Sequence, residues 1–118
     1  MNKKELEERT KKFAVAVVFF VGGLPRGSVP DVLGHQLLRS GTSVGANYRE
    51  ANRAESKSDF AHKIAIVEKE ASETVYWLEL FQETGVGPPE KLRPLLDEAR
   101  ELLAIFTSSL RTLKACSR

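Results

Sequence analysis

A chain of 118 residues, 42% apolar and 29% charged, has room for one buried core and not for two ordinary ones. Its net charge of +2 excludes the global basic excess of many nucleic-acid binders, so any such role must rest on how charge is distributed. The single Cys116 excludes an internal disulfide or a cysteine metal cluster and fits a reducing, cytoplasmic setting.

The first element spans about residues 3–21 and stops at Gly22-Gly23. Lys11-Lys12 followed by the apolar run Phe13 to Val21 superficially resembles a signal peptide. Glu5, Glu7 and Glu8 crowd the would-be basic region, and the run is far short of the roughly 20 residues that span a bilayer. A buried first helix with no membrane role is the expectation.

The second helix is expected over about 30–54, with Ser28 or Asp31 as cap and Pro30 suited to a first turn. The third, about 57–84, opens on Ser56-Lys57-Ser58-Asp59, a capping box in which side chains satisfy free amides at the helix start. It ends at Gly85-Val86-Gly87-Pro88-Pro89, and a fourth follows over about 90–115. Phe60, Ile64, Val67, Ala71, Thr74, Leu78 and Phe81 step by four and three along one face of the third helix. Leu92, Leu95, Leu96, Ala99, Leu102, Leu103, Phe106, Leu110 and Leu113 repeat this in the fourth. Long helices with short links pack as antiparallel neighbours. The fold class is therefore all-α, one up-down four-helix bundle over residues 1–118.

Gly41-Thr42-Ser43-Val44-Gly45 matches the G-x-S-x-G pattern of a hydrolase nucleophile, and Ser43, Asp59, His62 follow the triad's chain order. The chemistry needs a strand before the serine and a helix after it, and His35 to Arg39 lie within a helical pattern instead. His35 and His62 have no metal-ligand spacing to a second His or Cys. The expectation is a protein that is not an enzyme and has no cofactor or metal.

On a helix, Leu37, Gly41, Val44, Tyr48 and Ala51 line one face. Each interior glycine costs about 1 kcal/mol relative to alanine, which points to close approach of a neighbouring helix or subunit at Gly41 and Gly45. The other side carries Arg39, Thr42, Ser43, Ala46, Arg49, Glu50 and Arg53, with guanidinium groups spread along about 21 Å of helix. Such a face suits phosphate oxygens; internal salt bridging is the competing reading. Lys57 and Lys63 add positive charge, as do Arg111, Lys114 and Arg118 at the C-terminal end. In the third helix Ile66, Trp77 and Leu80 form a second apolar flank with Glu70 and Glu73 among them, either a partner surface or a wide core stripe.

Three separated motifs, Leu37 to Ala51, Ser56-Lys57-Ser58-Asp59-Phe60 and Lys69 to Leu80, together resemble the four-helix-bundle family of 23S rRNA intervening-sequence proteins. The resemblance implies a bundle without catalytic residues that assembles as a ring-like homopentamer. It is also similar to the accessory variability protein of diversity-generating retroelements, which implies a basic surface that binds nucleic acid and a reverse transcriptase. Arg39, Ser43, Asn47, Arg49 and Glu50 match the second-helix motif, and Lys69, Glu70, Glu73, Tyr76 and Trp77 the third. The expected contacts to RNA or DNA are Arg39, Arg49, Arg53, Lys57, Lys63, Arg111 and Lys114. The expected oligomer interface is Gly41, Gly45, Ile66, Glu70, Glu73 and Trp77. The alternative is a structural or protein-interaction scaffold that binds no nucleic acid.

Overall fold

Four helices account for the chain: α1 (Lys3–Gly22), α2 (Ser28–Ala51), α3 (Lys57–Thr84) and α4 (Pro89–Cys116). The computed structural model describes residues 1–116, and no strand occurs among them. Each helix packs on the next in sequence and α1 closes the square against α4, while the diagonal pairs do not meet. The links are too short to let a helix run parallel to its predecessor, so the bundle is up-down. It measures 48 × 23 × 21 Å.

Local chemistry sets the helix starts. Asn2 caps α1, its side-chain oxygen accepting from the Glu5 amide at 2.8 Å. Ser56 caps α3 by accepting from the Asp59 amide at 3.1 Å. Asp59 reaches back to the amide of Glu55 at 3.3 Å, one residue before the cap. Both arrangements satisfy amides that have no partner within the helix.

Helix α2 starts two residues and ends three residues earlier than the 30–54 expected. Gly27, at φ 146°, adopts a backbone region closed to other residues, so the helix starts at Ser28. Pro30 falls in the first turn, where its missing N–H costs nothing. At the far end Arg53 N–H bonds Glu50 O and Ala54 N–H bonds Ala51 O, each at 3.0 Å. These tightened turns stop the helix, and the Asn52 amide side chain is fixed to Glu7 at 2.9 Å.

The core follows the apolar spacing. Leu37, Val44, Tyr48 and Ala51 are buried on α2, and Ile64, Val67, Ala71, Thr74, Leu78 and Phe81 on α3. On α4 the buried set is Leu92, Leu95, Leu96, Ala99, Leu102, Phe106 and Leu110. Phe20 meets Phe81 edge-on with ring centres 5.3 Å apart. Tyr48 meets Phe106 at the same separation, and burial raises the Tyr48 hydroxyl pKa.

Two expectations are corrected here. Gly41 and Gly45 belong to the contact with α1 of the same chain and not to a surface for another subunit. A Cβ on Gly41 would stand 3.0 Å from a Val17 methyl, and one on Gly45 3.2 Å from the Thr10 hydroxyl. Helix α1, in turn, is buried on one side only. Leu6, Thr10, Phe13, Val17 and Phe20 face the core, whereas Val15, Val18 and Phe19 are exposed.

Candidate nucleic-acid interface and partner face

The arginines of α2 do not form one ladder. Arg39 and Arg49 are ten residues apart, which at about 100° per residue turns them about 80° from each other around the axis. Arg39 points to α3, where it bonds the Glu73 carboxylate and stands 3.5 Å from Glu70. It also donates to Gln36 Oε1 at 3.2 Å. Arg49 points the other way, 3.8 Å from Glu7 of α1. Arg53 lies past the end of α2 in the link to α3. Arg39 is thus largely neutralised by its own molecule, and the continuous arginine face expected along α2 is absent.

The intervening hydroxyls are also committed. Ser43 Oγ donates to Arg39 O and Thr42 Oγ1 to Leu38 O, each at 2.6 Å. Ser43 therefore sits in mid-helix and not on a strand-to-helix turn. Asp59 of the would-be triad is taken by Lys63 at 3.0 Å, which with the Glu55 amide lowers its pKa. Among the described residues no group of three or more His, Cys, Asp or Glu is placed to hold a metal ion.

What the topology does gather is a cationic end. The start of α1, the α2–α3 link and the end of α4 meet there, and Lys3, Asn52, Glu55, Ser56, Lys57 and Phe60 are among the residues that line one shallow depression, with Glu50 and Glu55 the exposed acids of the α2–α3 turn. Lys3 Nζ lies 4.9 Å above the Phe60 ring. Arg49, Arg53, Lys57, Arg111 and Lys114 are exposed at this end, with Lys63 half-buried beside Asp59. Arg53, Lys57 and Arg111 pair with no carboxylate among the described residues. Arg118 lies outside the described residues. Lys3 is a member of this cluster that periodicity missed, because only the folded chain brings the first turn of α1 beside α3.

The second flank of α3 faces α2 on the bundle's side. Ile66, Glu70, Glu73, Trp77 and Leu80 are all half-buried there. Trp77 packs against the core edge and meets the Tyr76 ring at 5.1 Å. Its indole nitrogen is buried without a hydrogen-bond partner, as is one oxygen of Glu70. Tyr76 and, on α2, Val29 and Val32 are exposed beside this row.

The model of the 23S rRNA-intervening sequence protein family matches residues 3–108. The chain belongs to that family. A protein of unknown function from the S23 ribosomal protein family of Bacteroides thetaiotaomicron VPI-5482 superposes with a TM-score of 0.84. It is 36% identical, over 94% of this chain and 99% of that one. No curated protein sequence matches. No helix among the described residues of this 23S rRNA-intervening sequence protein is long and apolar enough to cross a membrane.

Proposed function

We propose that this 23S rRNA-intervening sequence protein is a non-enzymatic, oligomeric adaptor that binds nucleic acid through the cationic end of its bundle. The observation that carries this reading is the convergence of Arg49, Arg53, Lys57, Lys63, Arg111 and Lys114 on one end, where Arg53, Lys57 and Arg111 form no ion pair among the described residues. Guanidinium and ammonium groups without internal partners pair with phosphate oxygens and release counterions when they do so. The target is RNA, free or held by a nucleic-acid enzyme such as a reverse transcriptase. Several copies in a ring-like homopentamer would repeat the cationic end around one axis and multiply a weak single contact by avidity.

A titration against a structured RNA at about 50 mM and about 200 mM salt tests the reading, since each phosphate contact adds about one to the salt slope. Binding is expected to weaken steeply with salt. Changing Arg53, Lys57 and Arg111 together to Ala is expected to reduce both affinity and slope. Absence of binding at low salt, or indifference to the triple substitution, sinks it.

The pairing of Arg39 with Glu70 and Glu73 favours a second reading for the α2–α3 side alone. There the polar groups are internal struts, and that face is a protein-interaction scaffold.

A further inference from the structure

We infer that the depression at the cationic end is a pocket for a single unpaired RNA base, stacked on Phe60. The inference rests on the nucleic-acid part of the function proposed above and adds what that end distinguishes, an unpaired nucleotide from duplex.

Phe60 opens the apolar seam of α3, and Ile64, Val67, Ala71, Thr74, Leu78 and Phe81, which follow it along the seam, are all buried. Phe60 itself is only half-buried. It packs against the core and also lines the depression. The exposed Lys3 holds its Nζ 4.9 Å above the ring centre, so that face of the ring is reached from solvent. A cation over an aromatic ring marks its electron-rich face, and bases stack on the same kind of face. Lys3 carries its ammonium on a flexible four-carbon stem. It can yield the ring to a base and take up the phosphate that arrives with it.

Size and lining fit a base. The depression, about 270 Å³, is smaller than the roughly 300–1,000 Å³ of pockets that enclose a whole drug-sized molecule. It suits one planar ring system whose sugar and phosphate remain outside. Ala51 and Leu113 add apolar lining, and Lys57 joins Lys3 as a second ammonium. Glu55 is the one carboxylate of the lining among the described residues.

In a site for phosphate alone that carboxylate would only repel. In a site for a whole nucleotide it has a partner, because a carboxylate accepts from ring N–H groups. Guanine presents two adjacent donors, N1–H and N2–H, on the edge that pairing would occupy. The phosphates on either side fall to Lys3 and Lys57 and to Arg53 and Arg111, exposed at the same end. A base inside a duplex is covered by its neighbours and cannot enter the depression, whereas a bulge or loop splays its base out.

The test uses the full chain and two RNAs at about 50 mM salt, a blunt duplex and the same duplex with one bulged guanosine. Wild type is expected to bind the bulged RNA about tenfold more tightly, within the range that one stacked base adds. Phe60→Leu keeps an apolar side chain against the core and is expected to bind both RNAs equally; circular dichroism checks that it stays helical. Glu55 is exposed, so Glu55→Ala leaves the packing whole. It is expected to tighten the blunt duplex, a negative charge being gone, yet to cut the advantage of the bulge about fivefold or more. A purely electrostatic end would instead tighten on both RNAs alike. Guanosine monophosphate alone is expected to bind about a hundredfold more weakly than the bulged duplex, since it lacks the neighbouring phosphates. Equal binding of the two RNAs by wild type, an advantage of the bulge that survives either substitution, or guanosine monophosphate bound as tightly as the bulged RNA overturns the inference. If the blunt duplex still binds in a salt-dependent manner, the nucleic-acid reading stands and only the base pocket falls. Absence of binding by either RNA at low salt removes both.

Discussion

At the scale of single residues, Gly41 and Gly45 set how closely α1 and α2 lie. Val17 is fully buried against Gly41 and, being branched at Cβ, has little rotamer freedom with which to yield. A Cβ at Gly45 would also press on the Thr10 backbone at 3.3 Å. Gly41→Ala or Gly45→Ala is therefore expected to lower stability by about 1–2 kcal/mol, overpacking outweighing the gain in helix propensity. Gly22, whose added Cβ would meet nothing within 4 Å, makes the contrast. There the same change is expected to raise stability by about 0.5–1 kcal/mol. Urea unfolding of the three variants measures all of this. The glycine spacing was visible in the sequence, but a small residue says only that something comes close. Whether that something is Val17 of the same chain or another subunit depends on which helix lies alongside. The fate of Arg39 was hidden for a similar reason, because its partners Glu70 and Glu73 are set by the register between α2 and α3.

At the scale of elements, the start of α3 gives a sharper test. Ser56→Ala removes the acceptor of the Asp59 amide and is expected to cost about 1 kcal/mol. Asp59, held below its ordinary value of 3.8 by Lys63 and the Glu55 amide, contributes stability that is fully present above the unfolded pKa. That contribution is lost as pH falls through the lower folded value. Thermal melts between pH 5 and about 2 are expected to show a drop in wild type below pH 3.8. The drop should be smaller in Asp59→Asn. A drop of the same size in the variant would assign it to other carboxylates. This helix start was readable because Ser56-Lys57-Ser58-Asp59 acts over one turn. The three- and four-residue apolar steps that built the core on α3 and α4 were readable too. The end of α2 was not, since Glu50 to Ala54 contains no glycine or proline and the stop is made by the tightened turns at Arg53 and Ala54, beside a contact from Asn52 to Glu7 that only the folded chain provides. Nor was the exposure of Phe19, as composition cannot say that α4 leaves a helix half uncovered.

At the scale of the whole molecule, the proposed nucleic-acid contact is confined to one end. The cationic end caps the bundle, while the α1–α4 and α2–α3 faces lie on its flanks. Changing Arg53, Lys57 and Arg111 to Ala is accordingly expected to leave the sedimentation of the oligomer unchanged while it weakens RNA binding. A change in mass would mean that the end and the flanks are coupled. The seam that joins α1 to α4 has one further consequence. Every other helix–helix contact is made by neighbours in the chain, whereas the Arg9–Glu98 pair closes a separation of 89 residues. Loop-closure entropy makes such a contact the last to repay its formation. The hairpins α1–α2, α2–α3 and α3–α4 would assemble first, and the ring of helices would shut late. The flank with the longest wait to fold is then also the one where Phe19 stays exposed, so apolar surface persists there from the first collapsed state to the native one.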